Sequence, residues 1–498
     1  MAMSTWRRNP TLYEINTRVW LSDLTKKYGA AVELSSVPAA EWNAIAQFGF
    51  DGVWLMGVWE RSPAGTAIAN RNQGLLADFC RALPDFRTRD NVGSPYCVRN
   101  YVVDKHLGSP VGLASARKEL DRRGMKLLLD FVPNHVAPDH PWATDHPEYF
   151  IQGSPEDARN DPASFVEVKG NVFACGRDPY FPAWPDVLQL NAFHPGLRQA
   201  VTETVSIIAS QCDGVRCDMA MLLLNTIFQR TWGNRAGQPP ATEYWDELIP
   251  AIKKARAGFL FIAEAYWDLE WELQQHGFDF CYDKRLYDRL QHDSAESVRL
   301  HLCADTAYQK KLLRFIENHD EPRAAATFSP AKERAAAVTS STQLGARLFQ
   351  EGQFEGRKTR LPVFLGRRPD EPVDAQLQDF YAKLLKIITA PVFHDGQWNL
   401  CQRTGWPDNQ SFQNLVAWSW TSDADRYLIV ANLSDGAVQA RIQIPWDDLR
   451  GGNWRLADRL SGATYDRNGD ELASSGLYVE LGPWDYNCFL CRCAGTEA

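Results

Sequence analysis

Short apolar runs alternate with stretches of helical spacing along the first three quarters of the chain. This alternation is typical of parallel strands joined by crossover helices, because parallel strands cannot be joined by a tight hairpin. Eight strands of this kind predict a (β/α)8 barrel, which occupies about 250 residues before insertions. The predicted strands are Leu12–Leu21, Gly49–Trp59, Lys126–Phe131, Asp213–Asp218, Gly258–Ala265, Phe278–Tyr282, Leu312–Asp320 and Ala346–Gln353.

Two segments depart from this alternation of strands and helices. About eighty residues separate the third predicted strand from the fourth, whereas a βαβ unit takes about thirty. We therefore predict an irregular inserted lobe at 136–196, rich in Asp, Pro and aromatic residues. Beyond a closing helix at Leu377–Ile388 the runs alternate in the β manner, which predicts a C-terminal antiparallel β-sandwich at 391–498. The catalytic barrel would then comprise 1–135 and 197–390. The predicted C-terminal strands are Leu415–Trp420, Tyr427–Asn432, Val438–Ile444 and Leu477–Leu481.

The composition limits which binding partners and which cellular compartment we expect. The net charge of −9 repels phosphate backbones and anionic membranes, so we expect no nucleic-acid partner and no membrane partner. We found neither a signal-peptide core nor a membrane span, and expect a cytoplasmic protein. The eleven cysteines are an odd number without regular spacing, which favours thiols over a disulfide framework. Cys488, Cys491 and Cys493 lie close together, but no second cluster completes four metal ligands.

The fourth predicted strand contains two full charges among small and apolar residues. It reads DGVRCDM over Asp213–Met219, and Arg216 and Asp218 are two positions apart. In a strand such side chains point to the same side. A buried structural ion pair and a catalytic site both explain this arrangement. Glu264 and Asp320 also follow apolar runs, and catalytic groups of a barrel gather where its strands end.

The surroundings of two carboxylates suggest different chemical roles. The apolar run at 259–263 opposes ionisation of Glu264 and is expected to raise its pKa, as a general acid near neutrality requires. Arg216 beside Asp218 favours the charged carboxylate that a nucleophile needs. A neutral acid beside an ionised carboxylate is the pair that glycoside hydrolysis uses.

Four stretches in a fixed order carry a resemblance to a known family. They are DFVPNH at 130–135, GVRCD at 214–218, FIAEAYW at 261–267 and ENHD at 317–320. They resemble the four ordered motifs of the α-amylase family of retaining glycoside hydrolases and transglycosidases, and WPDVLQLN at 184–191 is similar to its fifth motif. The resemblance covers roughly residues 10–390 and implies a barrel with a lobe after its third strand and a C-terminal β domain.

The resemblance implies a role for each catalytic candidate. Asp218 would be the nucleophile that forms a β-glycosyl enzyme, and Glu264 the acid/base. Asp320 would bind sugar hydroxyls and stabilise the oxocarbenium-like transition state. Arg216 would orient Asp218. Asp130 is instead expected to be a structural carboxylate within the barrel.

The resemblance also implies sugar contacts. His135 and His319 would bind the sugar at the cleavage subsite, and Tyr96 would stack under its ring, although structural roles are open for all three. Three tryptophans are either sugar platforms or core residues, namely Trp59, Trp184 and Trp267. The segment at 351–363, EGQFEGRKTRLPV, is a candidate for shaping the sugar pocket.

This chain departs from the family in one place. Many members carry Lys-His shortly after the nucleophile, where this chain has Met221 and Leu222. An acceptor-side contact is therefore missing. That histidine also helps to bind a structural calcium in the family, so Asn134 and Asp186 are only candidate ligands. We expect no obligatory calcium and no required cofactor.

We expect a retaining enzyme that cleaves α-glucosidic bonds of starch, glycogen or malto-oligosaccharides by double displacement. Transglycosylation by the same covalent intermediate is the close alternative, because a sugar hydroxyl can replace the attacking water. A phosphorylase-type reaction would depend strictly on phosphate. A catalytically inactive glucan-binding module is the remote alternative.

Overall fold

The computed structural model describes residues 6–494 of the chain. Eight parallel strands form a closed barrel in sequential order, and the eighth pairs with the first. All eight predicted barrel strands are confirmed. Their bounds are β1 (Thr11–Asn16), β2 (Gly52–Met56), β3 (Lys126–Phe131), β4 (Gly214–Cys217), β5 (Leu260–Ala263), β6 (Phe280–Tyr282), β7 (Leu312–Arg314) and β8 (Ala346–Gln350).

Helices separate the barrel strands, as the sequence pattern predicts. Leu113, Ala116 and Leu120 line the buried face of the helix Ser109–Asp121, and Gly124 follows it with a left-handed φ of 76°. The longer helices are Thr17–Tyr28, Ala39–Ala46, Gln73–Ala82, Ser109–Asp121, Pro195–Gln211, Asn225–Trp232, Tyr244–Ala255, Lys284–His292, Ala295–Leu302, Pro330–Ser341 and Ala375–Ile388.

The first predicted strand is too long, because a helix begins inside it. The Asn16 side chain accepts a hydrogen bond from the N–H of Val19 at 3.4 Å and so caps the helix Thr17–Tyr28. The seventh predicted strand is also too long. Asn318 accepts hydrogen bonds from the N–H groups of Asp320 and Glu321, both at 2.9 Å, which turns the chain after β7.

Side chains alternate between the inside of the barrel and the layer beneath the helices. Leu12, Leu128 and Ile262 belong to one apolar cluster inside the barrel. Val215 on β4 and Phe261 on β5 each lie one position away from an inward-facing residue. They belong to the larger apolar cluster that packs against the helices. This period of two decides which charged strand residues face the barrel axis.

The segment between β3 and β4 is more regular than the sequence indicated. It forms a four-stranded antiparallel sheet in the order His135–Val136, Trp184–Gln189, Asn171–Gly176 and Phe165–Val168. These strands are short, and Pro- and Asp-rich turns separate them, so their alternation is hard to see in the sequence.

The C-terminal part contains two antiparallel sheets with a shared apolar core, consistent with the predicted sandwich. All four strands predicted there are present. One sheet has six strands, Gln397–Leu400, Leu415–Thr421, Arg426–Asn432, Tyr486–Ala494, Asn453–Asp458 and Thr464–Asn468, and the other has three, Gln402–Thr404, Val438–Gln443 and Leu477–Leu481. The domain boundaries drawn from the sequence stay a prediction.

Within residues 6–494, no helix combines the length and the apolar character that crossing a membrane requires.

Candidate active site

Three of the predicted site residues meet because of where β4 and β5 end. Arg216 lies inside β4, and Asp218 follows two positions later on the same side. Glu264 directly follows β5, in phase with the inward residue Ile262. Backbone bonds hold both ends: the Asp218 N–H donates to the Phe131 carbonyl at 2.8 Å, and the Glu264 N–H donates to the Cys217 carbonyl at 3.0 Å.

One guanidinium contacts all three catalytic candidates. Arg216 is 1% exposed, and its Nη1 lies 2.5 Å from Oδ1 of Asp218. Its Nη2 lies 2.8 Å from Oε2 of Glu264 and 3.8 Å from Oδ2 of Asp320. Its Nε donates to the Tyr282 hydroxyl at 3.2 Å. A buried ion pair explains part of this arrangement, but three carboxylates around one cation exceed what charge balance needs.

Glu264 is a buried acid with a raised pKa. Burial is the main cause that raises its pKa from 4.5 to about 7, and Arg216 works in the opposite direction. Its Oε2 accepts a hydrogen bond from the Met219 N–H at 2.6 Å, and the Tyr266 hydroxyl donates to Oε1 at 3.0 Å. Met219 has a left-handed φ of 44°, which costs free energy in a non-glycine residue and aims its N–H at the carboxyl group.

Asp320 lies at the cavity wall with a charged histidine beside it. Its side chain is 41% exposed, and its Oδ2 lies 2.9 Å from Nε2 of His319. Burial acts to raise the pKa of Asp320, but His319 and Arg216 lower it to about 2. Burial likewise acts to lower the pKa of His319, but Asp320 and Glu14 raise it well above its usual value. Nδ1 of His319 lies 2.5 Å from the buried Glu14 carboxylate.

These side chains border a cavity of about 330 Å³ at the C-terminal end of the barrel. Tyr96 lies in its wall and stacks on His319, with ring centroids 5.4 Å apart and a hydroxyl 2.7 Å from Nε2. His135 lies there too, and burial lowers its pKa, so it stays neutral. The lining residues are Ser94, Tyr96, His135, Trp184, Asp186, Val187, Asp218, Met219, Glu264, Tyr266, Asp320 and Phe364. Five of the seven predicted site residues therefore line the cavity, and the other two, Arg216 and His319, contact Asp218 and Asp320 from outside the lining.

Asp130 and Trp59 belong to the barrel core. The two Asp130 carboxylate oxygens accept hydrogen bonds from the indole of Trp54 at 3.1 Å and from the Gly57 N–H at 2.7 Å, while burial raises its pKa to about 6. Trp59 is 1% exposed and donates to the Asp130 carbonyl at 2.7 Å. Of the three candidate platforms, Trp59 is therefore a core residue, Trp184 lines the cavity, and Trp267 packs against Tyr180 with ring centroids 4.8 Å apart.

The two candidate calcium ligands have different surroundings. The side-chain oxygen of Asn134 accepts a hydrogen bond from Gln189 at 2.9 Å, and its amide nitrogen lies 3.2 Å from Oε1 of the same glutamine. Asp186 is half-buried in the cavity wall, and burial raises its pKa to about 6. Among the described residues, no three His, Cys, Asp or Glu side chains are grouped as metal ligands.

The sequence analysis missed four contacts in this site. Glu14 is the one charged residue of β1 and is in phase with the inward Leu12, a signal that was available. Tyr266 follows Glu264 by two positions, which the same alternation could have indicated. The Met219 N–H depends on a backbone angle that sequence does not display. Phe364 directly follows the segment 351–363, the candidate for shaping the sugar pocket, and lies outside its predicted bounds. Within that segment Arg360 donates to the Asp320 carbonyl at 2.8 Å.

Comparison with known proteins agrees with this geometry. Residues 42–352 match the model of the α-amylase catalytic domain, which covers more than half of the chain. The chain belongs to the α-amylase family. The family resemblance of the four motifs and the barrel it implied are thereby confirmed.

Members of the α-amylase family with known names match over different lengths. Alpha-amylase MalA of Haloarcula japonica is 22% identical over 465 residues, which cover 91% of this chain and 60% of that protein. Alpha-1,4-glucan:maltose-1-phosphate maltosyltransferase 2 of Streptomyces coelicolor is 29% identical over 233 residues, which cover 45% of this chain and 28% of that protein. The chain therefore spans less than two thirds of the length of these relatives.

A solved structure shares the whole fold. The maltogenic α-amylase AmyB of Thermotoga neapolitana superposes with a TM-score of 0.68 at 18% identity and covers 98% of this chain and 99% of that one. At this identity the likeness concerns the fold alone. With the family match, residues 42–352 form a catalytic domain of the α-amylase type.

Proposed function

We propose that this α-amylase-family enzyme is a retaining hydrolase of α-glucosidic bonds in starch, glycogen or malto-oligosaccharides. The observation that supports it most is the contact of Asp218 and Glu264 with adjacent nitrogens of one guanidinium. Their carboxyl groups are therefore neighbours. Retaining enzymes place the two groups about 5–5.5 Å apart, whereas inverting enzymes need about 6.5–9.5 Å to admit water.

In the first step, Asp218 attacks the anomeric carbon while Glu264 protonates the leaving glycosidic oxygen. The bond from the anomeric carbon to that oxygen breaks, and an ester bond to Asp218 forms. Burial keeps Glu264 protonated near neutral pH, as a general acid needs. Arg216 holds the Asp218 carboxylate in place, with its Nη1 2.5 Å from Oδ1.

In the second step, Glu264 takes a proton from water, and the water oxygen displaces Asp218 from the anomeric carbon. The Asp218 charge is one cause that raises the pKa of Glu264. Because the ester removes that charge, the pKa of Glu264 falls, and the group is an ionised carboxylate that can act as the base when a base is needed.

Asp320 and its neighbours stabilise the sugar between these steps. A carboxylate with a pKa of about 2 stays ionised at all working pH values and can face the positive charge of the oxocarbenium-like transition state. The neutral His135 and the ring of Tyr96 border the same cavity, where a sugar hydroxyl and a sugar face can contact them. Trp184 offers a second aromatic wall.

Transglycosylation is the second candidate, and the names of some matched relatives favour it. Met221 and Leu222, which replace the acceptor-side pair of many relatives, are buried at 0% and 2% exposure. They cannot contact an acceptor sugar or position water beside it. Some of the matched relatives are named maltosyltransferases.

An inactive glucan-binding module does not explain why three carboxylates converge on one cavity. Buried thiols such as Cys217 and Cys281 suit a reducing compartment, and we keep a cytoplasmic location as a proposal.

The test is incubation of the pure protein with maltoheptaose and chromatography of the products over time. Shorter sugars alone support hydrolysis, and an α-configured product at early times supports retention. Chains longer than seven units support transfer. No change, with or without added phosphate, would refute the catalytic proposal and leave the binding module.

A further inference from the structure

The two oxygens of the Glu264 carboxyl group have different surroundings. Oε2 lies 2.6 Å from the Met219 nitrogen and 2.8 Å from Nη2 of Arg216. Both neighbours carry hydrogens and can only donate. Oε1 lies 3.0 Å from the hydroxyl of Tyr266, which borders the catalytic cavity. A hydroxyl can donate or accept.

This asymmetry fixes the place of the proton on neutral Glu264. A proton on Oε2 would meet the Met219 N–H, which already donates to that oxygen, and would be repelled by the Arg216 charge. A proton on Oε1 faces the Tyr266 hydroxyl oxygen, which can accept a hydrogen bond from it. After the proton leaves, the same hydroxyl rotates and donates to the carboxylate at Oε1. One residue therefore satisfies both protonation states.

We propose that Tyr266 is a positioning residue that holds the transferable proton of Glu264 on Oε1. The assignment rests on the proposed function, because it concerns the acid/base step. The proton passes from Oε1 to the leaving glycosidic oxygen, and no proton leaves Tyr266. Burial raises the pKa of the Tyr266 phenol well above its usual value, so it stays protonated throughout.

Several other charged groups face Glu264 and must be held constant in any test. Asp218 from β4 and Asp320 from the segment after β7 raise its pKa, and Arg216 lowers it. Tyr282 on β6 contacts Arg216. The change must therefore remove the Tyr266 hydroxyl alone, which Tyr266→Phe does while keeping the ring.

The experiment compares two substrates that differ in their need for an acid. Maltoheptaose needs protonation of its leaving oxygen. In α-maltosyl fluoride the leaving group is a fluoride ion, which departs without being protonated. For Tyr266→Phe we expect kcat on maltoheptaose to fall by about tenfold or more, since general acid catalysis is worth about 10²–10⁴-fold and its positioning a part of that. We expect less than about threefold loss on the fluoride. Tyr308→Phe, a tyrosine outside the cavity lining, serves as the matched control.

The pH profile supplies a second readout that a structural role would not move. A hydrogen bond to a carboxylate is stronger than one to a neutral acid, so removing the donor favours the protonated form. The alkaline limb of kcat/KM for Tyr266→Phe should therefore lie at higher pH than in the wild type. Tyr266→His retains a hydrogen-bond donor and an acceptor and should recover part of the maltoheptaose activity. If the Phe variant does not fold, the two substrates and the pH profile are compared between Tyr266→His and the wild type instead.

The outcomes separate this inference from the function on which it rests. A wild type that turns over neither substrate refutes the proposed function and this role with it. A wild type that turns over both, with equal losses on both substrates in Tyr266→Phe or an unmoved alkaline limb, overturns the Tyr266 assignment alone.

Discussion

Glu264→Gln should make the fold more stable at high pH while it removes the acid. Glutamine keeps the size of the protonated side chain. Its oxygen can face Met219 and Arg216 in place of Oε2, and its amide can donate to Tyr266. The native hydrogen bonds therefore survive, and the change removes only the ability to ionise.

The magnitude follows from the raised pKa. Burial is the first cause that lifts the pKa of Glu264 from 4.5 to about 7. One pKa unit is worth about 1.4 kcal/mol, so the folded protein ionises this group at a cost of about 3 kcal/mol relative to the unfolded chain. Below pH 4.5 the group is neutral in both states and the cost is absent. Stability is lost as pH rises to about 7, and above it the whole cost remains.

Urea denaturation of the wild type and the Gln variant at pH 4.5, 6, 7 and 9 measures this difference. We expect similar free energies of unfolding at pH 4.5 and a gain of about 3 kcal/mol for the variant at pH 9. Glu333→Gln is the matched control: Glu333 is buried outside the cavity lining, and burial raises its pKa to about 7. It should gain stability in the same window and keep its activity. A stability difference for Glu264→Gln that does not change between pH 4.5 and 9 would refute the reasoning.

Three further predictions concern the other parts of the site. Asp218→Asn should lower turnover by about 10⁴-fold or more and leave maltoheptaose binding measurable by calorimetry; substantial remaining turnover would remove Asp218 from its role. Glu14→Gln removes one of the charges that raise the pKa of His319, so the histidine should lose its proton at lower pH in an NMR titration of its imidazole; an unchanged titration would contradict this. Dialysis against EDTA should leave activity and melting temperature unchanged, because Gln189 occupies the Asn134 amide; a loss restored by calcium would be the contrary result.

The barrel and its catalytic candidates are readable in the sequence because both depend on short-range alternation. A strand of four residues such as β4 places Arg216 and Asp218 on one side whatever the rest of the chain does. Closure of the barrel then needs no further information, since eight sequential parallel strands leave no other way to remove both edges. The positions of Asp218 and Glu264 follow from these two facts.

The bounds of the strands and the order within the lobe were harder to predict. The apolar residues Val19 and Trp20 fit either a strand or a helix. The hydrogen bond from the Val19 N–H to the Asn16 side chain marks the start of a helix there. In the lobe, Trp184–Gln189 pairs with His135–Val136, almost fifty residues earlier in the chain. Pairing at that separation depends on tertiary packing, which single-sequence periodicity does not contain.

The contacts that set the protonation of the site come from four different strand ends. Glu14 on β1 raises the pKa of His319, His319 lowers the pKa of Asp320, and Arg216 on β4 contacts the carboxylates that follow β4 and β5. Because one guanidinium contacts both Asp218 and Glu264, a change in the charge of either is felt by the other. In the mechanism that we propose, formation of the glycosyl ester on Asp218 would therefore shift Glu264 from acid towards base, so that the same two residues serve both steps of a double displacement.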